Sequence, residues 1–432
     1  MTRLFGAASL LWTAPALAGD GAAHGDPVAP VVLWLAVILV AAKLGGDLAT
    51  RLAQPAVLGE LLVGVVLGNL SLAGFDGLEP LKHDASVDML ARLGVLILLF
   101  EVGLESTVSQ MLRVGWSSLL VATLGVAAPF ALGWGVAAWL LPASGAYVHA
   151  FLGATLTATS VGITARVLKD LDRSQTPEAR VILGAAVIDD VMGLVILAVV
   201  TGSIAAADRG SALSVAAVGL TLGKAVLFLC GSLALGVWLS PKLFSWVSHL
   251  KARGVLLATG LAFCFLLSWV ANAIELAPIV GAFAAGLILE DVHYREFVSR
   301  GEHGLEELVR PISSFLVPVF FVVMGMRTDL ASFARPGVLA LASGLTLAAF
   351  LGKQACALGV LGQGVDRLSV GLGMVPRGEV GLIFASIGLS LTVQGQPVVT
   401  PATFSAVVVM VMVTTIVTPP SLKWALFRKK SR

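Results

Sequence analysis

About thirteen apolar stretches, each near the length that crosses a lipid bilayer, follow one another along almost the whole chain. They run at about 29–51, 55–71, 88–105, 112–141, 146–168, 178–203, 211–239, 252–274, 277–290, 311–326, 336–361, 366–391 and 402–418. A hydrocarbon core ~30 Å thick is spanned by ~20 helical residues, and in lipid an unpaired backbone group has no water to turn to, so each stretch is expected to be helical. Composition agrees: 57% of the 432 residues are hydrophobic and 12% charged, against roughly 25% charged in soluble domains. Mean hydropathy is +0.95. The sequence therefore predicts an all-α polytopic membrane protein with about 13 transmembrane helices.

The net charge of +2 leaves no basic face for nucleic acid. The dense cationic run Arg428, Lys429, Lys430 and Arg432 closes a basic segment, 419–432, expected to anchor at the cytoplasmic surface of the membrane lipid. Arg3, the apolar run Leu4 to Leu17 and the Ala16-Leu17-Ala18 end read as a signal peptide over 1–18, or as an uncleaved short anchor. Cys230, Cys264 and Cys356 sit in apolar segments without CxxC spacing or a partnering His; they are expected to be buried packing residues, and nothing calls for a cofactor. With the N-terminus outside, only Lys82, Arg92, Arg209, Arg327 and Arg335 among the loop cations fall on the outer side, so positive charge gathers inside and the C-terminus is cytoplasmic.

Landmarks recur at a constant offset of 222 residues. Val57-Leu58-Gly59 with Gly64 matches Ile279-Val280-Gly281 with Gly286, and Gly103-Leu104-Glu105-Ser106 matches Gly325-Met326-Arg327-Thr328. With seven helices between equivalent points, the second copy enters from the opposite side. The expected organisation is a first repeat over 29–203, a linker helix at 211–239 and an inverted second repeat over 252–418, six helices plus six.

The offset places Thr157 over Glu379, each at the middle of its segment. Segment five holds Thr155-Leu156-Thr157-Ala158-Thr159-Ser160, and segment twelve holds Pro376-Arg377-Gly378-Glu379, where proline removes a donor and glycine weakens the helix. Both are expected to break near the midplane, where broken ends present dipoles and unpaired carbonyls to an ion. For segment five the plainer alternative is Ser and Thr packing between helices. Segment six carries Asp189 and Asp190 close to its centre. One ionised Asp there costs about 2.5–3.5 kcal/mol on insertion scales, so two need compensation. Neighbours on a helix point ~100° apart, which lets one face a cavity and the other a partner. Lys353 is the candidate partner, with Lys224 left between snorkelling and function, and Glu60, Glu101 and Glu105 as entrance or packing groups.

These residues resemble the second monovalent cation:proton antiporter family. The matching strings are Gln54-Pro55-Ala56-Val57-Leu58-Gly59-Glu60, Leu98 to Glu105, Ile279 to Leu287, Phe320 to Met326 and Pro376 to Ile383. The Asp189-Asp190 pair is similar to that of the electrogenic Na+/H+ antiporters, whereas a Gln-Asp version marks the glutathione-gated K+ efflux branch. That no nucleotide-binding domain is expected after the last helix also points away from the gated branch. The resemblance implies that Asp190 carries the ion, that Asp189 pairs with Lys353 when sodium is absent, and that broken helices cross at Thr157, Thr159 and Ser160 and at Arg377 and Glu379. It further implies a moving core domain and a dimerisation domain that forms a homodimer. The expected function is Na+ or Li+ exchange for H+ at an inner membrane, a transporter and not an enzyme, with K+/H+ exchange on the same scaffold and sodium-coupled solute symport as alternatives. An intramembrane aspartyl protease needs two convergent carboxylates, which adjacent residues on a helix do not supply.

Overall fold

The computed structural model describes residues 28–52, 54–105, 115–173, 175–208, 215–250, 252–289, 303–361 and 364–428. The expected signal peptide, 1–18, and the last cations of the tail, 429–432, lie outside the described residues. Segments one to four appear as α1 (Val28–Arg51), α2 (Ala56–Gly68), α3 (Ala85–Glu105) and α4 (Trp116–Leu140). Segment five divides into α5 (Ala146–Thr155) and α6 (Val161–Asp170). Then come α7 (Pro177–Asp208), α8 (Val215–Val247), α9 (Val255–Ala273), α10 (Pro278–Ile288), α11 (Leu305–Met326) and α12 (Pro336–Ala355). Segment twelve divides into α13 (Arg367–Gly373) and α14 (Glu379–Leu389), and α15 (Pro401–Arg428) closes the chain. Among the described residues, eight helical stretches are both long and apolar enough to cross a membrane, with α2, α10 and most of α14 as shorter apolar pieces. Proline opens α10 and α12, where its missing N–H would have been unpaired anyway. Asp366 caps α13 by accepting from the Ser369 amide at 3.3 Å.

Three details depart from the sequence reading. α15 runs through Pro419 and Pro420 to Arg428, so the expected tail starts as helix. Leu422 is buried against Leu168 and Ala179, and this packing carries the helix past the two prolines. A small hairpin, β1 (Thr392–Val393) paired antiparallel with β2 (Gln396–Pro397), joins α14 to α15. Its turn residues Gln394 and Gly395 both have positive φ, 52° and 76°, as a tight two-residue hairpin turn requires, and Asp208 accepts from the Gln394 amide at 2.9 Å. Finally, Cys230 is exposed on α8, so burial holds only for Cys264 and Cys356.

The helices form two bundles. One holds α1, α2, α3, α9, α10 and α11; the other holds α4 to α7 and α12 to α15. α8 lies against α7 of one and α9 and α10 of the other, and the turn at Ala331–Ala334 makes a second link. Glycines set the close approaches inside the first bundle. A β-carbon at Gly64 would overlap the Val322 carbonyl, and one at Gly286 the Phe100 carbonyl. Likewise Gly59 abuts Gly45 while Gly281 abuts Leu267, and Gly325 abuts Leu61 while Gly103 abuts Phe283. In each pair the two contacts exchange under the 222-residue offset. Small residues of this kind let helix backbones approach closely where lipid supplies no hydrophobic drive.

Gly286→Val is expected to lower stability by about 1–3 kcal/mol through overpacking, read as a fall in the melting temperature of detergent-solubilised protein. Gly135→Ala, where an added β-carbon meets nothing within 4 Å, should leave it unchanged. Equal melting for both variants would show that these crossings do not determine the fold.

Candidate functional site

The two interrupted segments meet. Between α5 and α6 the backbone leaves the helix at 156–160, and between α13 and α14 at 374–378. Breaking a helix in lipid frees amides and carbonyls that need partners, and each break supplies them to the other. The Ser160 amide donates to the Pro376 carbonyl at 2.8 Å, and the Thr164 hydroxyl to the Gly373 carbonyl at 2.6 Å. The Thr159 hydroxyl reaches the Met374 carbonyl at 3.4 Å. Gly378 is needed at this crossing because a β-carbon there would overlap the Ser160 side chain. α15 braces the second break: the Thr415 hydroxyl donates to the Arg377 carbonyl at 2.6 Å, and the Thr414 hydroxyl accepts from the Arg377 amide at 3.3 Å.

Two cations close off the end of α5. Lys353 Nζ donates to the Thr157 carbonyl at 2.9 Å, and Arg377 Nη1 donates to the Ala158 carbonyl. Both side chains are fully buried. Carbonyls at a helix C-terminus carry partial negative charge, which suits cations. A cation at the depth of Arg377 is costly, and the sequence alone does not show what offsets it. Its partner is a backbone carbonyl, and no inventory of side chains reveals one.

Lys353 also binds Asp189, at 2.9 Å to Oδ1 and 3.2 Å to Oδ2, with both side chains 0% exposed. α12 reaches this depth by packing Gly352 onto Pro129 of α4, and Gly125 leaves room for the ammonium. The next residue on α7, Asp190, is 9% exposed and lines a cavity of about 510 Å³ between the bundles. Asp190, Thr159, Ser160, Gly378 and Thr415 form one wall; Leu58, Leu61, Glu101, Glu105 and Phe321 form the other. The Ser313 hydroxyl donates to Glu101 at 2.5 Å. A second cavity of about 500 Å³ approaches from the opposite end, lined by Thr201, Asn272, Glu275, Phe320, Ile383 and Ser386. Phe320 faces the second cavity and Phe321 the first; Ile383 and Leu382 divide in the same way. Asp190 lines only the first.

The structure therefore brings Asp189, Lys353, Thr157 and Arg377 together behind Asp190, with Thr159 and Ser160 beside it. Thr157 takes part through its carbonyl, since its hydroxyl donates back to Ala154 at 2.8 Å. Glu379 opens α14; its side chain lies outside the described residues. Lys224 pairs with Glu275 at 2.9 Å on a partly exposed face, and Glu60 is buried within the first bundle. Because Asp189 is enclosed with Lys353 while Asp190 faces the cavity, the two carboxylates do not converge on one water, which excludes an aspartyl-protease dyad.

An ionisable pair at crossed broken helices, reached by a cavity from one side, defines an ion-coupled membrane transporter. Residues 35–428 match the family model described as sodium/hydrogen exchanger, transmembrane, and the chain belongs to this family of monovalent cation:proton antiporters. It is 40% identical to the high-affinity Na+/H+ antiporter NhaS3 of Synechocystis sp., over 92% of this chain and 90% of that one. It is 35% identical to the Na+/H+-K+ antiporter GerN of Bacillus cereus, over 90% and 95%. Its fold is similar to that of the sodium proton antiporter MjNhaP1 from Methanocaldococcus jannaschii, with a TM-score of 0.65, 17% identity and coverage of 93% and 98%. The protein is thus a multi-pass secondary transporter that exchanges a cation for protons.

Replacing Lys353 by Met strands a buried carboxylate and is expected to cost about 3–5 kcal/mol, measured by thermal unfolding in detergent. Adding Asp189→Leu should recover most of that loss. A double variant no more stable than Lys353→Met would mean that the pair is not what fixes α7 to α12.

Proposed function

We propose that the protein exchanges Na+ or Li+ for H+ by alternating access, with cation and proton competing for Asp190. The observation that carries this reading is the division of the Asp pair: Asp189 is held by Lys353 at 2.9 Å, whereas Asp190 faces a cavity beside Thr159 and Ser160. A carboxylate with neighbouring hydroxyl oxygens offers the hard ligands a small monovalent cation takes, and the same carboxylate binds a proton. Cation bound at deprotonated Asp190 loosens the Asp189–Lys353 pair; protonation from the other side expels it. The bundle of α4 to α7 and α12 to α15 then moves against the other, and access passes from one cavity to the opposite one. If two protons move per cation, one net charge crosses per cycle, the exchange is electrogenic, and the membrane potential contributes about 2.3 kcal/mol per 100 mV.

The same reading places the protein in an inner membrane with its N-terminus outside and its C-terminus cytoplasmic, as a homodimer through the bundle of α1 to α3 and α9 to α11. The paired glycine contacts support two inverted repeats, 29–203 and 252–418, joined by the linker at 211–239. K+/H+ exchange is the second reading, favoured by the similarity to a relative named for both Na+ and K+.

The test is cation-induced dequenching of a pH dye in proteoliposomes holding an imposed pH gradient, with NaCl, LiCl, KCl and choline chloride compared. Na+ and Li+ are expected to give a response that Asp190→Asn abolishes; substantial exchange by that variant would reject Asp190 as carrier. A response to K+ alone would select the second reading. Lys353→Gln should retain part of the exchange with an altered charge balance, so an unchanged electrical response would remove Lys353 from the mechanism.

A further inference from the structure

α15 is 28 residues long, about 42 Å at 1.5 Å per residue, against a hydrocarbon core of ~30 Å. Its first charged residue is Lys423. The last turns therefore emerge at the depth of the lipid headgroups, and there the helix has two unlike faces. Leu422 and Ala425 are buried, with Leu422 packed on Leu168 and Ala179. Pro420, Lys423, Trp424, Phe427 and Arg428, at spacings of three and four, fall on the other face and line an open hollow of about 490 Å³. Trp424 is 58% exposed. Arg428 lies over the Trp424 ring at 5.4 Å, and Arg173, from the turn after α6, lies over the Phe427 ring at 5.2 Å. Asp366 lies beside them, 3.7 Å from Arg428.

The geometry points to a docking site for an anionic phospholipid at the inner end of α15: the phosphate bound by Lys423 and Arg428, the upper acyl chain lying along Trp424 and Phe427. The charge balance selects an anion, because Lys423, Arg428 and Arg173 outnumber the carboxylates beside them, Asp366 and Glu178, which accepts from the Asp366 amide at 3.0 Å. The exposed aromatic rings select a lipid over a free anion, since rings of this kind settle at the headgroup boundary and contribute nothing to a solvated phosphate. α15 packs on α12, α13 and α14, so an occupied site ties the bundle that carries Asp190 to one leaflet. An effect on exchange rests on the antiport reading; binding does not.

The experiment is native mass spectrometry of the full chain in nonionic detergent, titrated with phosphatidylglycerol or phosphatidylcholine, for wild type, Lys423→Gln/Arg428→Gln and Lys423→Arg/Arg428→Lys. Wild type and the charge-conserving variant should bind phosphatidylglycerol in preference. Each cation near an anionic surface strengthens binding about fivefold, so the neutral variant should bind about thirtyfold more weakly. Equal binding of the two lipids by wild type, or undiminished preference in the neutral variant, would overturn the proposal. Displacement of phosphatidylglycerol by inorganic phosphate would also overturn it, in favour of a free-anion site. In proteoliposomes, wild-type exchange should respond to added phosphatidylglycerol and the neutral variant should not. Wild type that exchanges nothing in any lipid would count against the antiport reading, while the adduct ratio still decides the lipid site.

Discussion

A single buried ammonium holds the centre of this protein together. Lys353 binds the Asp189 carboxylate and the Thr157 carbonyl, both at 2.9 Å, so one group from α12 fixes α7 and the broken end of α5. None of the three partners is tolerable there alone. A charge taken out of water is penalised by several kcal/mol even after relaxation, and a carbonyl released from its helix needs a donor. The arrangement is over-determined at Asp189 and leaves its neighbour Asp190 on the cavity wall. Adjacent residues on a helix diverge, and that divergence separates a carboxylate enclosed with Lys353 from one that faces the cavity.

The close glycine contacts come in matched pairs, while the buried charges do not. Glycine contacts in the first bundle come in pairs that exchange under a 222-residue shift, as Gly64 on Val322 does with Gly286 on Phe100. The buried ionisable residues of the site have no such partners: Ala131 stands at the position equivalent to Lys353, and Met412 at that of Asp190. Packing repeats because two backbone crossings of one shape are satisfied by the same small residues. Charges do not repeat, because a second buried set would carry its own desolvation penalty without a second ion to bind.

Two cavities approach from opposite ends and are parted by side chains from neighbouring positions, Phe320 with Phe321 and Leu382 with Ile383. Each adjacent pair presents one residue to each side, so the barrier is a single layer of apolar side chains between the bundles. The long helix α8 touches both bundles.

Much of this was legible in the sequence. Lipid thickness sets the length of apolar runs, so segment positions follow from composition alone. Proline and glycine interrupt a helix by local chemistry, so the break at 374–378 follows from its own residues; the break at 156–160 holds neither and is expected only from its place in the 222-residue repeat, with Ser and Thr packing as the alternative, while the Asp pair stands out in an apolar helix. Only the tertiary structure decided that Thr157 serves through its carbonyl, that Arg377 donates to the carbonyl of Ala158, that Lys224 pairs with Glu275, and that α15 continues through two prolines to Arg428. Those outcomes depend on which backbone crosses which, some two hundred residues apart in the case of Lys353 and Thr157. Local propensity and hydropathy carry no record of such crossings. The sequence by itself determined where the chain spans and breaks, and the packing of the two bundles determined which polar atom each buried charge meets.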